Sequence, residues 1–454
     1  MKGFVPTPEA TVDAMVSRLF RERPPREGAR LLDPGCGHGA FIEGVLRWCG
    51  RYKYPRPEIV GIELDPEKIE TAKGRLREQP NIALIQGDFL TTQLASFDYI
   101  VGNPPYVAIE GLSEEERATY RRLFQTARGR LDLYMVFWER ALQLLSPDGR
   151  LVFITPEKFA YVETARALRK VLSSFHIEEI FLAPEDTFGN FVTYPTITTV
   201  ANRNSSDPSV VETRDGNRKW IFVPRDGESW QPLIHGPLAE INGTRTLEDL
   251  ALHVSCGVAT GADAVFVHEA TALTSALNGR AYPTLAGRDL CLGKPLPDPR
   301  RRMLVPYDLE GHLLPEEGLG ALGEYLKRSE NRTRLEARTC VRRKPWYSFH
   351  ETPHLKKILR PKLLCKDVTR KPYFWIDRTG DIIPRHSVYY IVPRATELLD
   401  PLAQFLNSQE VCSWLRSHCH RAANGFLRVQ SAILKKLPVP DDVSQVVQSH
   451  SRPN

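Results

Sequence analysis

The segment Leu32-Asp33-Pro34-Gly35-Cys36-Gly37-His38-Gly39 constrains this chain more than any other. It joins a short apolar run, 30–33, to a stretch with helical spacing, 40–49. Three glycines at alternate positions make a sharp strand-to-helix turn and let a ligand approach the backbone at a helix N-terminus. The alternation then continues. Runs 59–64, 82–86, 97–101, 151–155, 177–182 and 196–201 read as strands, and 66–77, 131–145 and 164–173 as helices, the helix at 131–145 stopping at a turn over 146–149. Strands alternating with helices predict an α/β fold with a mostly parallel sheet and helices on both faces.

Acids mark three successive strand ends: Asp33 in the glycine turn, Glu63, and Asp88. The turn reads G-x-G-x-G rather than the dinucleotide G-x-G-x-x-G. An acid there repels a pyrophosphate and suits the ammonium of a methionine moiety. Glu63 suits ribose hydroxyls, and Asp88 suits an adenine amino group. Together they fit S-adenosyl-L-methionine better than a nicotinamide. After the strand at 97–101 comes Asn103-Pro104-Pro105-Tyr106. Two prolines make a rigid turn that holds an amide oxygen and the Pro104 carbonyl in fixed directions. The exocyclic amino group of a nucleobase is a poor nucleophile, because its lone pair is delocalised into the ring. Two acceptors binding its two hydrogens localise that pair, and catalysis is then mainly positioning. Tyr106 can stack on the base.

In this order the motifs resemble an N6-adenine DNA methyltransferase of the gamma class, TaqI-like. The pattern also includes Val5-Pro6-Thr7-Pro8 before a helix, Asp132-Leu133-Tyr134, and the segment 145–156. The resemblance implies a class I S-adenosylmethionine-dependent methyltransferase, a Rossmann-like mostly parallel sheet followed by a C-terminal mixed α/β target-recognition domain. It implies cofactor contacts from Thr7, Asp33, Glu63, Leu64, Asp88, Phe89 and Phe137, added to the glycine turn at Gly35, Cys36 and Gly37. Leu64, Phe89 and Phe137 would pack on the cofactor's adenine ring. Phe188 would stack on an extruded base opposite Tyr106, with Phe191 as rival. Segments 258–266, 362–369 and 424–438 resemble parts of TaqI-like and Eco57I-like recognition domains. The implied partner is double-stranded DNA, with a cognate restriction endonuclease acting separately. N4-cytosine in DNA and N6-adenine in RNA remain alternative targets, because both use the same amino-group chemistry.

The length of 454 residues suits two domains. A polar stretch at 202–209 reads as a linker, giving a methyltransferase domain over 1–215 and a recognition domain over 216–454. Net charge is +6, and residues 331–376 hold thirteen Lys/Arg against three Asp/Glu. Trp346, Tyr347, Phe349, Tyr373, Phe374 and Trp375 lie among those charges. That mixture suits a polyanion with stackable bases, or equally a solvated basic face over core aromatics. Arg342, Arg343, Lys344, Trp346 and Arg370 are the residues expected near DNA. Eight scattered cysteines form no C-x-x-C pair, so neither a disulfide framework nor a structural metal is expected, even at Cys412, His418, Cys419 and His420. With no apolar span or leader pattern, the expectation is a cytoplasmic monomer with no membrane partner.

Overall fold

The computed structural model describes residues 5–130, 132–189, 194–422 and 425–445. The chain divides into two compact units, Met1–Pro237 and Leu238–Asn454.

The first unit is built on one nine-stranded sheet. In chain order it comprises α1 (Glu9–Phe20), β1 (Arg30–Pro34), α2 (Ala40–Tyr52), β2 (Glu58–Glu63), α3 (Pro66–Arg75), β3 (Ile82–Gln86), β4 (Phe97–Gly102), α4 (Glu114–Leu123), α5 (Leu133–Gln143), β5 (Leu145–Pro156), α6 (Arg166–Leu172), β6 (His176–Leu182), β7 (Pro195–Ala201), β8 (Ser209–Glu212), β9 (Arg218–Ile221) and α7 (Gln231–His235). The strand order is β3-β2-β1-β4-β5-β7-β6-β8-β9. The strands from β3 through β5 are parallel, and β7 runs antiparallel between β5 and β6. This is the class I S-adenosylmethionine-dependent methyltransferase architecture expected from the sequence.

Period-2 side-chain alternation buries both faces of the sheet. Leu31 joins the cluster beneath α1 and α2 with Val12 and Ile42. Its neighbour Leu32 joins the opposite cluster with Trp138 and Phe153. Helix α1 presents Val12, Met15, Val16, Leu19 and Phe20 at helical spacing. Helix α3 starts where Asp65 caps the Glu67 N–H at 3.1 Å and Pro66 occupies the first turn.

Two local expectations change. The tetrapeptide 146–149 is no free turn, because it lies inside β5 as a bulge. Leu145 pairs with Phe97, yet Arg150 pairs with Tyr99. Asp148 takes φ 58°, and paired backbone bonds with Asn202, 2.9 Å each, hold the bulge in the sheet. The boundary expected at 215/216 falls instead at Pro237. Residues 202–209 merely connect β7 to β8, and Trp230 and Ile234 are buried in the first unit's core. Buried Arg169 fastens that extension by donating to the carbonyls of Gly227 and Glu228, at 2.9 Å each, and of Phe159 and Val162.

The second unit is mixed α/β. One four-stranded sheet orders Ala251–Cys256, Val388–Pro393, Lys362–Lys366 and Phe374–Asp377; a second joins Val267–Glu269, Arg301–Leu304, Ala281–Leu285 and Ile383–Pro384. The basic, aromatic-rich segment resolves toward the structural reading. Tyr347, Phe349, Phe374 and Trp375 are buried, and Trp346 and Tyr373 pack against the same core. The indole N–H of Trp346 donates to Glu316 at 2.9 Å, and Arg332 lies over its ring. Four of the six are thus buried and two half-buried, whereas Arg342, Arg343 and Arg370 are exposed. The Lys362 ammonium is buried against Asp377 at 2.5 Å. Among the described residues no group of three or more His, Cys, Asp or Glu is arranged to hold a metal. The His418 ring instead stacks on Trp414 at 3.9 Å. Among them, too, no helix is long and apolar enough to cross a membrane.

Candidate cofactor and catalytic site

The first unit reverses its winding direction between adjacent parallel strands β1 and β4, so the loops after these strands open into one crevice. A cavity of about 490 Å³ lies there. The glycine turn forms one wall. Gly35 and Cys36 N–H both donate to the Ile62 carbonyl at 2.8 Å. Gly35, Gly37 and Gly39 have φ of 115°, 53° and 87°, values that a side chain would strain.

Glu63 lines the cavity with its carboxylate fixed from both sides. Gly37 N–H donates to one oxygen at 3.0 Å, and Asp65 N–H to the other at 2.9 Å. Asp88, also on the wall, accepts from Leu90 N–H at 3.0 Å and from the Tyr120 hydroxyl at 3.2 Å. Leu64, half exposed, and the adjacent rings of Phe89 and Phe137, 5.0 Å apart, supply an apolar wall. The Cys36 thiol lines the cavity as well. Burial, with the Asp33 and Glu63 carboxylates adding to it, pushes its pKa far up, which disfavours the thiolate form.

Asp33 is not on the wall but one layer behind it, fully buried, with neither carboxylate oxygen hydrogen-bonded. Burial first and Glu63 second push its pKa well above the usual carboxylate range. On the far side of the crevice, Asn103 and Pro105 line the cavity. The Asn103 amide nitrogen donates to the Val5 carbonyl and to the Thr7 hydroxyl, 3.1 Å each. Its Oδ1 is buried with no partner. Because the Val5 carbonyl can only accept, the NH2 must face it, which fixes the sense of the amide. The Pro104 carbonyl accepts no hydrogen bond among the described residues.

The structure therefore brings Thr7, Gly35, Cys36, Glu63, Leu64, Asp88, Phe89, Phe137, Asn103 and Pro105 to one cavity. Gly37 reaches it through Glu63. Tyr106 stands just outside: its hydroxyl donates to the Ile154 carbonyl at 3.2 Å and its ring meets Tyr134 edge-on. Phe188 does not reach the cavity; it is buried in the apolar cluster with Val12, Ile154 and Ile197. Phe191 lies outside the described residues. The sequence reading missed Tyr120, although Ser113 and Glu116, which form a capping box at the start of α4, signal the helix that carries it. It also missed the Val5 main-chain carbonyl, which no side-chain pattern reveals.

The site fits a cationic nucleoside. Two wall carboxylates with a third behind them suit a positive charge, the aromatic pair suits a base, and a volume of this order suits one such molecule.

Residues 65–188 match the Eco57I restriction-modification methylase family. The chain is 27% identical to the Type II methyltransferase M.PaeR7I of Pseudomonas aeruginosa, across 97% of this chain and 86% of that protein. It is 26% identical to M.XhoI of Xanthomonas vasicola, across 90% and 86%. Among solved structures it superposes on the Type IIL restriction-modification enzyme MmeI in complex with DNA, TM-score 0.62 at 15% identity, over 98% of this chain and 66% of that one. The fold and site define a class I methyltransferase whose expected cofactor is S-adenosyl-L-methionine. More particularly, residues 65–188 resemble the Eco57I restriction-modification methylases.

Proposed function

We propose that this protein is a site-specific DNA methyltransferase, the modification component of a restriction-modification system, and that it methylates N6 of adenine in a base swung out of the duplex. The observation that carries this reading is the Asn103 amide, whose donor end is fully used while its acceptor end is buried with no partner. An unpaired buried acceptor costs about 1–3 kcal/mol, so a donor substrate belongs there. One hydrogen of an exocyclic amino group goes to Asn103 Oδ1 and the other to the Pro104 carbonyl. Both acceptors draw the nitrogen toward tetrahedral geometry, and the rigid Pro104-Pro105 turn keeps them aligned.

S-adenosyl-L-methionine, when bound, supplies an electrophilic methyl group on a sulfonium. Glu63 would hold its ribose hydroxyls, Asp88 its adenine amino group, and Leu64, Phe89 and Phe137 its ring. The turn at Gly35–Gly37 completes that contact, the Thr7 hydroxyl being engaged by Asn103 instead, and Asp33, once ionised, would offset the positive charge from behind the wall. Tyr106 would stack on the target base. Phe188 would share that role only by leaving its apolar cluster, since it is buried there. Swinging out a base costs a few kcal/mol, offset by stacking and by phosphate contacts, for which exposed Arg342, Arg343 and Arg370 of the second unit are the candidates.

Asn103→Ala tests the reading. Methyl transfer from labelled cofactor to duplex DNA should fall roughly 10²–10³-fold, the usual effect of deleting one such group, while cofactor binding by calorimetry persists. A near-normal rate would refute the role of the amide. Sequencing that distinguishes N6-methyladenine from N4-methylcytosine, on a host genome with and without the gene, tests the target base. An RNA enzyme would label RNA alone.

A further inference from the structure

We propose that Thr7 is a positioning residue for Asn103: its hydroxyl locks the amide that the Val5 carbonyl has oriented, so the segment ahead of α1 sets the geometry of amino-group capture. The inference rests on the function proposed above. The amide nitrogen of asparagine carries two hydrogens, and here both are used, on Val5 O and Thr7 Oγ1 at 3.1 Å each. The two partners act differently. A carbonyl accepts only, so turning the amide over would set oxygen against oxygen at Val5. A hydroxyl can accept or donate, so Thr7 cannot choose the sense of the amide. It can only hold its angle. With both hydrogens committed, the plane of the group is fixed and Oδ1 is left buried and unpaired.

Thr7 itself lines the cavity, immediately before Pro8, the residue preceding α1. Helix α1 is anchored in the core by Val12, Met15 and Val16. The hydroxyl therefore stands on a fixed support, and Asn103 stands on the rigid turn after β4. A side chain held from two independent elements is pre-organised for an acceptor role that tolerates little angular error.

The test uses the full-length protein and a duplex substrate identified by genome sequencing. Thr7→Val keeps the shape and removes the hydroxyl, leaving one amide hydrogen without a partner. Single-turnover methyl transfer should fall about tenfold, equivalent to ~1.4 kcal/mol. Cofactor and DNA dissociation constants should stay within about twofold of wild type, well under the ~1.4 kcal/mol that a tenfold change represents. Thr7→Ser, which restores the hydroxyl, should recover most of the rate, and its thermal melting guards against a mere folding defect. In an Asn103→Ala background Thr7→Val should add nothing, because residues acting through one group are non-additive. Loss of cofactor affinity in step with the rate would overturn the proposal and make the hydroxyl a cofactor ligand. So would an equal rate loss in the Asn103→Ala background. A near-normal rate for Asn103→Ala itself would bring down the parent reading, an outcome separable from failure of Thr7→Val alone.

Discussion

Replacing Asp33 with asparagine should stabilise the cofactor-free protein at neutral pH while weakening its hold on the cofactor. Asp33 is fully buried, neither carboxylate oxygen has a hydrogen-bond partner, and Glu63 adds a like charge nearby. Burial and that neighbour raise its pKa well above the ordinary value. In strongly acid solution the folded and unfolded chains both hold the proton. As pH rises through the ordinary aspartate range near ~3.9, the unfolded chain releases it and the folded chain does not. Stability contributed by this residue is therefore complete at low pH and is lost as pH rises toward the folded pKa. Each pH unit over which only the folded state keeps the proton removes about 1.4 kcal/mol. At ~2–4 °C per kcal/mol for a unit of this size, that is roughly 3–6 °C per pH unit. Asparagine has the same shape and no proton to lose, so the advantage of Asp33→Asn should widen with rising pH. Calorimetric melting of both proteins from about pH 5 to about pH 8 isolates the residue, because other groups cancel in the difference. Adding S-adenosyl-L-methionine should narrow the gap, since its positive charge stabilises the carboxylate and not the amide. A gap that stays constant across that range, or an Asp33→Asn protein less stable at the alkaline end, would refute the assignment of Asp33 as a buried acid that keeps its proton until a cation binds.

Two predictions concern the second unit. Lys362→Met should destabilise it by about 3–5 kcal/mol, because Asp377 then remains buried and unpaired. Adding Asp377→Asn should recover much of that deficit, since the amide oxygen can still accept from Thr379 and from Gly380 N–H; urea unfolding monitored by hydrogen exchange in that unit reads both. DNA affinity should fall steeply with salt, and alanine at Arg342, Arg343 and Arg370 together should flatten the log–log slope by roughly 0.9 for each phosphate no longer neutralised. Fluorescence anisotropy measures it, and an unchanged slope would exclude these three as phosphate ligands.

The parts of this protein that could be read from sequence are those where one residue type has no substitute. A strand that must turn sharply into a helix beside a ligand needs glycine, so Gly35, Gly37 and Gly39 announce themselves. Acids at strand ends are conspicuous in apolar surroundings, so Glu63 and Asp88 were legible too. Context decided the rest. The tetrapeptide 146–149 has turn composition, yet Asn202, just past the end of β7, captures it as a bulge. The polar stretch 202–209 looks like a domain linker, yet β8, β9 and Trp230 beyond it complete the first unit's sheet and core. The aromatics among the cations of 331–376 look available for stacking, but local sequence carries no sign of which face of a strand meets the core. Phe374, on a strand, and Phe349, in a loop, both face inward.

The proximity of acid and amide follows from topology rather than from either motif. Strands β1 and β4 are parallel neighbours, with Leu32 opposite Ile100. Continuing that register sets Pro34 opposite Gly102 and puts Asp33 just short of the strand end. A Cβ on Gly102 would lie 3.3 Å from Asp33 Oδ1 and 3.4 Å from Pro34, tight contacts that the glycine avoids at the residue before Asn103. The two strand ends can thus approach closely enough to set a buried acid and an unpaired acceptor side by side. Shifting β4 by one residue would turn Gly102 and Asn103 to the opposite faces of the sheet and separate the acceptor from the acid, with both motifs still present in the sequence. What makes the pair a site is the reversal of winding between β1 and β4, because the chain leaves two adjacent parallel strands there in opposite directions across the sheet.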